Sequence, residues 1–263
     1  MYSEIASVKS NKMIADNIYE AILYSPNISS KSKPGQFINI LPNKNWSNVM
    51  RRPMSIASQG NDLISIIYKV FGEGTRIISN WKKGDRIDLI GPLGNIWTDY
   101  DSKYPILVAG GVGIAPILNL HNYLKEIGIK HALICGAKTK KEHFLEHNPE
   151  NDIFLSTDID EYGIKGNVIN AIDIVLRNKK INSIKIFSCG PHGMLRGVHQ
   201  YSKLNNYECQ IAVETIMACG IGICQGCTII KKEIDAKHTY RNKYALACID
   251  GPVFNGSEIS DAF

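Results

Sequence analysis

No stretch of the 263 residues approaches the roughly 18 consecutive apolar positions of a membrane-spanning helix. The first residues are polar where a secretory leader would carry its apolar stretch, so the cytoplasm is the expected compartment and no membrane partner is expected. There is no internal repeat and no low-complexity linker. No Ser-His-Asp order and no paired-carboxylate arrangement stands out, which disfavours a hydrolase. His143 and His147 lie four apart on a predicted helix, yet Glu142-His143-Phe144-Leu145-Glu146-His147 lacks the H-E-x-x-H order of a zinc protease. A solvated helix face is the expectation there. The net charge of +5 is scattered apart from Lys138-Thr139-Lys140-Lys141 and Lys231-Lys232, and gives little ground for a nucleic-acid partner.

With 44% hydrophobic residues, the chain exceeds one average domain and can bury two cores, or one large core plus an appendage. Up to about Trp97, short apolar runs such as Phe37-Ile38-Asn39-Ile40 and Leu63-Ile64-Ser65-Ile66-Ile67-Tyr68 are separated by turn signals at Lys33-Pro34-Gly35 and Gln59-Gly60-Asn61-Asp62. They read as a small antiparallel sheet or barrel. From Pro105 strands and helices alternate. Strands are expected at 106–109, 132–135, 153–155 and 184–187, with helices bearing Ile117 to Ile127, Val168 to Leu176 and Met194 to Lys203. This alternation implies a parallel sheet covered on both faces.

Four of the seven cysteines crowd the C-terminal part. Cys219, Cys224 and Cys227 are spaced C-x4-C-x2-C, and Cys248 follows about twenty residues later; this is the spacing of plant-type [2Fe–2S] ligation. Gly220, Gly222 and Gly226 suit a loop that must wrap a small cluster and aim amides at sulfur. A structural four-cysteine zinc site, as part of a non-redox scaffold, is the bland alternative. Zinc knuckles usually pair two C-x2-C arms, and here there is one such arm. Cys135 and Cys209 read as buried hydrophobes.

Arg51-Arg52-Pro53-Met54-Ser55 lies between strand-like segments, and Gly72-Glu73-Gly74-Thr75 precedes a helix-like stretch from Arg76 to Trp81. An arginine and a glycine-freed helix start are two independent ways to hold a pyrophosphate. Later, Gly110-Gly111-Val112-Gly113-Ile114-Ala115-Pro116 follows a strand and opens a helix. It is not the dinucleotide fingerprint G-x-G-x-x-G, because the sixth position from Gly111 is Pro116. Cys189-Gly190-Pro191-His192 makes a second such turn on the same carboxyl edge, where open α/β sheets bind ligands. His192 there reads as a ligand contact or a plain helix cap.

R-P-x-S, G-x-G-T, G-G-x-G-x-A-P and C-G-P in this order resemble the ferredoxin–NADP reductase superfamily. Glu214-Thr215-Ile216-Met217-Ala218-Cys219 through Cys227, with Cys248-Ile249-Asp250-Gly251-Pro252-Val253-Phe254, closely resemble the electron-transfer subunits of class 1B dihydroorotate dehydrogenase. The resemblance implies an antiparallel flavin-binding β-barrel (1–98), a parallel-sheet nicotinamide-nucleotide domain (104–208) and a small [2Fe–2S] module (209–263). It implies FAD held by Arg52, Pro53, Met54, Ser55, Ile67, Tyr68, Lys69, Gly74 and Thr75, with Ser55 near the redox edge. Met54 stands where the wider superfamily usually has an aromatic residue. NAD would meet Gly110, Gly111, Gly113, Cys189, Gly190 and Pro191, and the cluster would take Cys219, Cys224, Cys227 and Cys248. Asp158, after a predicted strand, stands where an NADP-specific member would place a basic residue, so NAD is expected. The implied partner is an FMN-containing dihydroorotate dehydrogenase catalytic subunit, two of each chain forming a heterotetramer. The implied role is electron transfer from that FMN, via the cluster and FAD, to NAD in pyrimidine biosynthesis. No base or substrate-carboxylate pocket for dihydroorotate is recognisable in this chain. The competing readings are the FAD subunit of a ferredoxin-dependent NAD(P)H transhydrogenase or of a sulfhydrogenase-type complex. The transhydrogenase pattern has aspartate as first cluster ligand, where this chain has Cys219.

Overall fold

In the computed structural model, residues 1–45, 50–181, 183–232 and 243–260 are described. The N-terminal unit is a closed six-stranded barrel ordered β1-β2-β5-β4-β3-β6. Its strands are β1 (Tyr2–Ala15), β2 (Ile18–Tyr24), β3 (Phe37–Ile40), β4 (Arg52–Gly60), β5 (Leu63–Lys69) and β6 (Arg86–Leu93), with helices α1 (Pro26–Lys31) and α2 (Glu73–Ser79) in the connections. Period-two patterning builds it. Along β6, Ile87 and Leu89 turn inward while Arg86 and Asp88 turn outward, and the inward set meets Val8, Leu23, Ile38, Ile56 and Ile66. The β4–β5 hairpin closes on Asn61 and Asp62, both at positive φ (52° and 62°), as a two-residue hairpin turn demands. The helix expected over 76–81 is α2, three residues earlier at its start, because Thr75 Oγ1 accepts from the N–H groups of Phe71 and Gly72 and so begins the first turn at Glu73.

The second unit is a seven-stranded sheet ordered β10-β9-β8-β7-β11-β12-β15. Its strands are β7 (Tyr104–Gly110), β8 (Ala132–Ala137), β9 (Ile153–Thr157), β10 (Ile164–Lys165), β11 (Ile184–Cys189), β12 (Glu208–Ala212) and β15 (Val253–Asn255). All neighbours are parallel except β15, which runs antiparallel to β12. Every residue of β7 after Tyr104 is buried, because both faces are covered. Ile106 and Val108 enter the core under α4 (Val168–Lys179) and α5 (His192–Leu204); Leu107 and Ala109 enter the core under α3 (Ile114–Glu126). Helix α3 lies between sheet and barrel, where Asn119 donates to the Ile56 carbonyl at 3.0 Å. A two-stranded ribbon, β13 (Thr228–Ile230) with β14 (Tyr244–Leu246), completes the described elements. Among the described residues no helix is long and apolar enough to cross a membrane.

Strand β12 runs across residues 208 and 209, and β15 returns to pair with it, so the sheet continues beyond residue 208. One expectation needs correction. His143 and His147 do not share a helix. After one 3-10 turn at Lys140–Glu142 the backbone is extended at His143 (φ −84°, ψ 134°). Both imidazoles serve strand β9 instead: His143 Nε2 lies 3.2 Å from both the Ser156 carbonyl and Thr157 Oγ1, and His147 Nδ1 accepts from the Leu155 N–H.

Candidate redox site

A cavity of about 460 Å³ opens where the barrel, the sheet and the start of the cysteine-rich segment meet. Pro53, Met54, Ser55, Ile67, Tyr68, Lys69 and Thr75 form its barrel side. The Tyr68 hydroxyl donates to Asn11 Oδ1 at 2.9 Å, and its ring stacks on Tyr19. Burial pushes this phenol's pKa up.

Arg52 and Gly74 sit side by side at the end of β4 and the start of α2. A Cβ on Gly74 would lie 2.9 Å from Arg52 Nε, so the glycine lets the guanidinium stem cross the helix start. Gly72 is the N-cap of α2 and brings no side-chain acceptor, which leaves the first-turn amides to an outside anion. Arg51 is committed elsewhere, to Asp88 at 3.0 Å. A cradle of guanidinium, amides and an apolar slot fits a flavin dinucleotide.

The opposite wall was not legible beforehand. It comes from Val112 and Ala115 at the start of α3, and from Val213, Glu214, Thr215 and Met217 just past β12. Glu214 is exposed at the cavity edge, where desolvation by the walls raises its carboxyl, with His192 opposing; full burial raises the Cys189 thiol, with Glu214 adding to it. A carboxyl held toward its protonated form at a flavin cavity can keep or release a proton locally.

The two glycine-rich turns meet beside this cavity. Strands β7 and β11 are adjacent, and the chain runs outward from them in opposite directions, so they flank the switch point of the sheet. A Cβ on Gly113 would lie 2.5 Å from the Cys189 carbonyl carbon and oxygen and the Gly190 nitrogen; one on Gly110 would strike Pro191 and Met194. Gly113 thus packs on Cys189 and Gly190, and Gly110 on Gly190, Pro191 and Met194, while Gly111, at φ +52°, has nothing within 4 Å of an added Cβ. Asp158 lies exposed just past β9, its N–H on the Ala137 carbonyl.

The four cysteines come together in two pairs. The Cys219 sulfur accepts from the N–H groups of Ile221 and Cys224, each at 3.4 Å, and from the Cys224 thiol. Burial opposes ionisation of Cys219, yet these donors outweigh it and bring the thiol down to about 6. Cys248 hydrogen-bonds Cys227, and burial first, then this neighbour, pushes its thiol up to about 12. The ribbon explains the distant fourth cysteine: Thr228 faces Leu246 and the Ala247 N–H meets the Cys227 carbonyl, so the hairpin returns Cys248 to Cys227. Gly220, Gly222 and Gln225 take positive φ to bend the loop. Among the described residues no three His, Cys, Asp or Glu side chains close on one ion position. Two thiol pairs suit two irons taking two thiolates each better than one tetrahedral zinc. The other cysteines, Cys135, Cys189 and Cys209, are buried and free.

A flavin-type barrel packed against the switch point of a parallel sheet, with a two-pair cysteine loop beside it, defines a reductase of ferredoxin–NADP reductase type with an appended iron–sulfur module. The model of the iron-sulfur cluster binding domain of dihydroorotate dehydrogenase B matches residues 214–260. The dihydroorotate dehydrogenase B (NAD(+)) electron transfer subunit of Bacillus velezensis is 34% identical over 97% of both chains. That of Fusobacterium nucleatum is 34% identical over 98% of this chain and 99% of its own. A solved NADH-dependent reduced ferredoxin-NADP oxidoreductase matches with TM-score 0.82 and 27% identity, covering 98% of this chain and 90% of that one. The chain belongs to the family of dihydroorotate dehydrogenase B (NAD(+)) electron transfer subunits.

Proposed function

We propose that the chain receives electrons from an FMN-containing dihydroorotate dehydrogenase catalytic subunit and delivers them to NAD, two copies of each chain forming the working complex. The expected compartment, the cytoplasm, belongs to the same proposal. One observation carries the reading. Val213, Glu214, Thr215 and Met217 line the flavin cavity, and the first cluster cysteine follows Met217 by two residues, so one continuous segment serves both redox groups.

FAD would be held by Arg52 and the α2 amides at its diphosphate and by 53–55 and 67–69 along its length. The cluster would take Cys219, Cys224, Cys227 and Cys248. When bound, a flavin exchanges hydride with a nicotinamide and single electrons with an iron–sulfur group. The chain's own work is to orient these groups. The apolar wall of Phe37, Met54 and Val213 excludes water, and the nicotinamide nucleotide would be held at the two glycine-rich turns, by Gly110, Gly111, Gly113, Cys189, Gly190 and Pro191. In domain terms the proposal is a flavin barrel over 1–98, a nucleotide-binding domain over 104–208 and a cluster module over 209–263, the last two joined through β12 and β15. The overall likeness to the ferredoxin-linked oxidoreductase favours the transhydrogenase reading; the higher identity to the dihydroorotate subunits, with cysteine at 219, outweighs it.

Cys224 is the exposed member of the four, so Cys224→Ser tests the reading with least disturbance of the core. Expected is loss of iron, retention of FAD, and loss of dihydroorotate-to-NAD turnover in the complex. The partner's reaction with an artificial acceptor should persist. Normal turnover in a folded, cluster-free variant would refute the role of the cluster.

A further inference from the structure

The flavin barrel grips the cysteine loop with two asparagines. Asn39, in the middle of β3, is fully buried and donates from Nδ2 to the Cys219 carbonyl at 3.0 Å. Asn95, just past β6, sends its N–H to the Gly251 carbonyl at 2.6 Å and its Nδ2 to the carbonyls of Asp250 at 2.8 Å and Val253 at 2.6 Å. Its Oδ1 accepts from the Val253 N–H at 2.9 Å. The barrel therefore holds the loop at its first cysteine and again just beyond its fourth.

The two contacts differ in kind. The Asn95 side chain is fully engaged and clamps the returning strand. Asn39 is not: its Oδ1 is buried with no hydrogen-bond partner among the described residues. Across the ladder it faces Pro53, which has no N–H, and Ile90. Leaving such an acceptor unmet opposes folding, so a leucine would be the cheaper occupant if packing were the only demand. What the amide provides is the bond to Cys219. The loop also approaches as closely as backbone allows: Gly220 has φ +71°, and a Cβ there would lie 2.4 Å from Asn39 Nδ2.

The Cys219 carbonyl belongs to the peptide that leads into the amides of Ile221 and Cys224, both of which donate to the Cys219 sulfur. Fixing that carbonyl fixes the direction of those donors. Phe37, two residues earlier and on the same face of β3, lines the flavin cavity. One short strand thus touches both redox sites.

We infer that Asn39 is a positioning residue that sets the reduction potential of the cluster and ties it to the flavin, through the Cys219 carbonyl. The inference rests on the [2Fe–2S] reading above. Donors near the ligating sulfur favour the reduced, more negative state of such a cluster. Without Asn39, its own N–H dipole is lost and the Ile221 and Cys224 amides are less well aimed, and both changes make reduction harder.

The test uses the full chain purified anaerobically with FAD and iron. Asn39→Leu should retain both, shift the electron paramagnetic resonance g-values of the dithionite-reduced protein, and lower the cluster's midpoint potential. Loss of about one hydrogen bond predicts a roughly tenfold shift in the reduction equilibrium, equivalent to about 59 mV for a one-electron couple. Asn95→Ala should lower Tm while leaving the g-values and the potential in place. Should Asn39→Leu fail to fold, Asn39→Ser, smaller and still polar, carries the same spectroscopic test. An unchanged spectrum and potential in a folded Asn39 variant would overturn the inference, as would an equal shift in Asn95→Ala. Wild-type protein containing zinc and no iron would overturn the cluster reading itself, an outcome separate from these.

Discussion

Gly113→Ala probes the meeting of the two glycine-rich turns. The new Cβ would lie 2.5 Å from three backbone atoms of Cys189 and Gly190, and no flexible side chain is there to yield. Ordinary carbon contacts sit at about 3.5–4.0 Å, so the turns must separate by about 1 Å. They cannot do so freely, because Ala109 and Cys189 are paired in adjacent parallel strands directly before them. Overpacking of this kind costs about 1–3 kcal/mol, or roughly 4–8 °C in Tm at the middle of that range for a chain of this size. The functional effect should exceed the stability effect. Val112 and Ala115 flank Gly113 and line the flavin cavity, and a displacement of about 1 Å in a hydride-transfer geometry can cost on the order of a hundredfold in rate. Thermal melts by circular dichroism and NADH-dependent dye reduction read the two effects. Gly197→Ala is the matched control. It lies inside α5 with nothing within 4 Å of the added Cβ, and should gain about 0.5–1 kcal/mol through helix propensity. A Gly113→Ala protein with wild-type Tm and wild-type KM for NADH would refute the close-approach argument.

Arg52→Ala should weaken FAD retention roughly ten- to a hundredfold, the worth of a charge-assisted phosphate contact, read as flavin per chain after gel filtration; full occupancy would make Arg52 a bystander. For the nucleotide, kcat/KM with NADH should exceed that with NADPH at least about tenfold, because exposed Asp158 repels a 2′-phosphate, and comparable values would overturn the assignment. His121 and His131 form a buried pair at 2.7 Å between α3 and the start of β8, and burial, then His131, brings the His121 imidazole down to about 4. The folded state holds it neutral while the unfolded chain takes a proton below about 6.5, so stability is flat above that pH and falls toward 4, by roughly 3 kcal/mol at the acid end. Urea midpoints between pH 7.5 and 4.5 should show this slope, and an equal slope in His121→Asn would sink the attribution.

Local chemistry made much of the site legible. The glycines at 110 and 113 could be read because a strand that turns into a helix beside another backbone leaves no room for a side chain, and Gly111 because the turn takes it to φ +52°. The cysteine spacing could be read because a tight loop must supply three thiolates and a distant segment the fourth. The far wall of the cavity carried no such signal. Val213, Thr215 and Met217 look like any strand exit, and only the packing of β12 against the barrel's neighbour turns them toward a flavin. Glu214 was visible only as the first letter of a motif, without a role. Asn39 looked like an ordinary interruption of an apolar strand. His143 and His147 show the reverse error: a four-residue spacing imitates a helix face, but unpaired groups along β9 recruit the imidazoles and the backbone extends to deliver them.

The course of the chain gives these pieces a common frame. The sheet reverses its winding between β7 and β11, and open α/β sheets bind ligands at the carboxyl edge of such a reversal. From the same edge, β12 releases the segment that lines the flavin cavity and then carries the cysteines. The segment returns as β15, with Val253 paired to Ala212, so the excursion is closed at its base by a backbone ladder. The Val213 N–H on the Pro252 carbonyl tightens that closure at 2.9 Å. A loop tethered at both ends on one strand pair has little freedom to drift. The barrel then bonds it at Cys219 and again at 250–253. The described cysteines are thus bonded to the same barrel and strand pair that bound the flavin cavity.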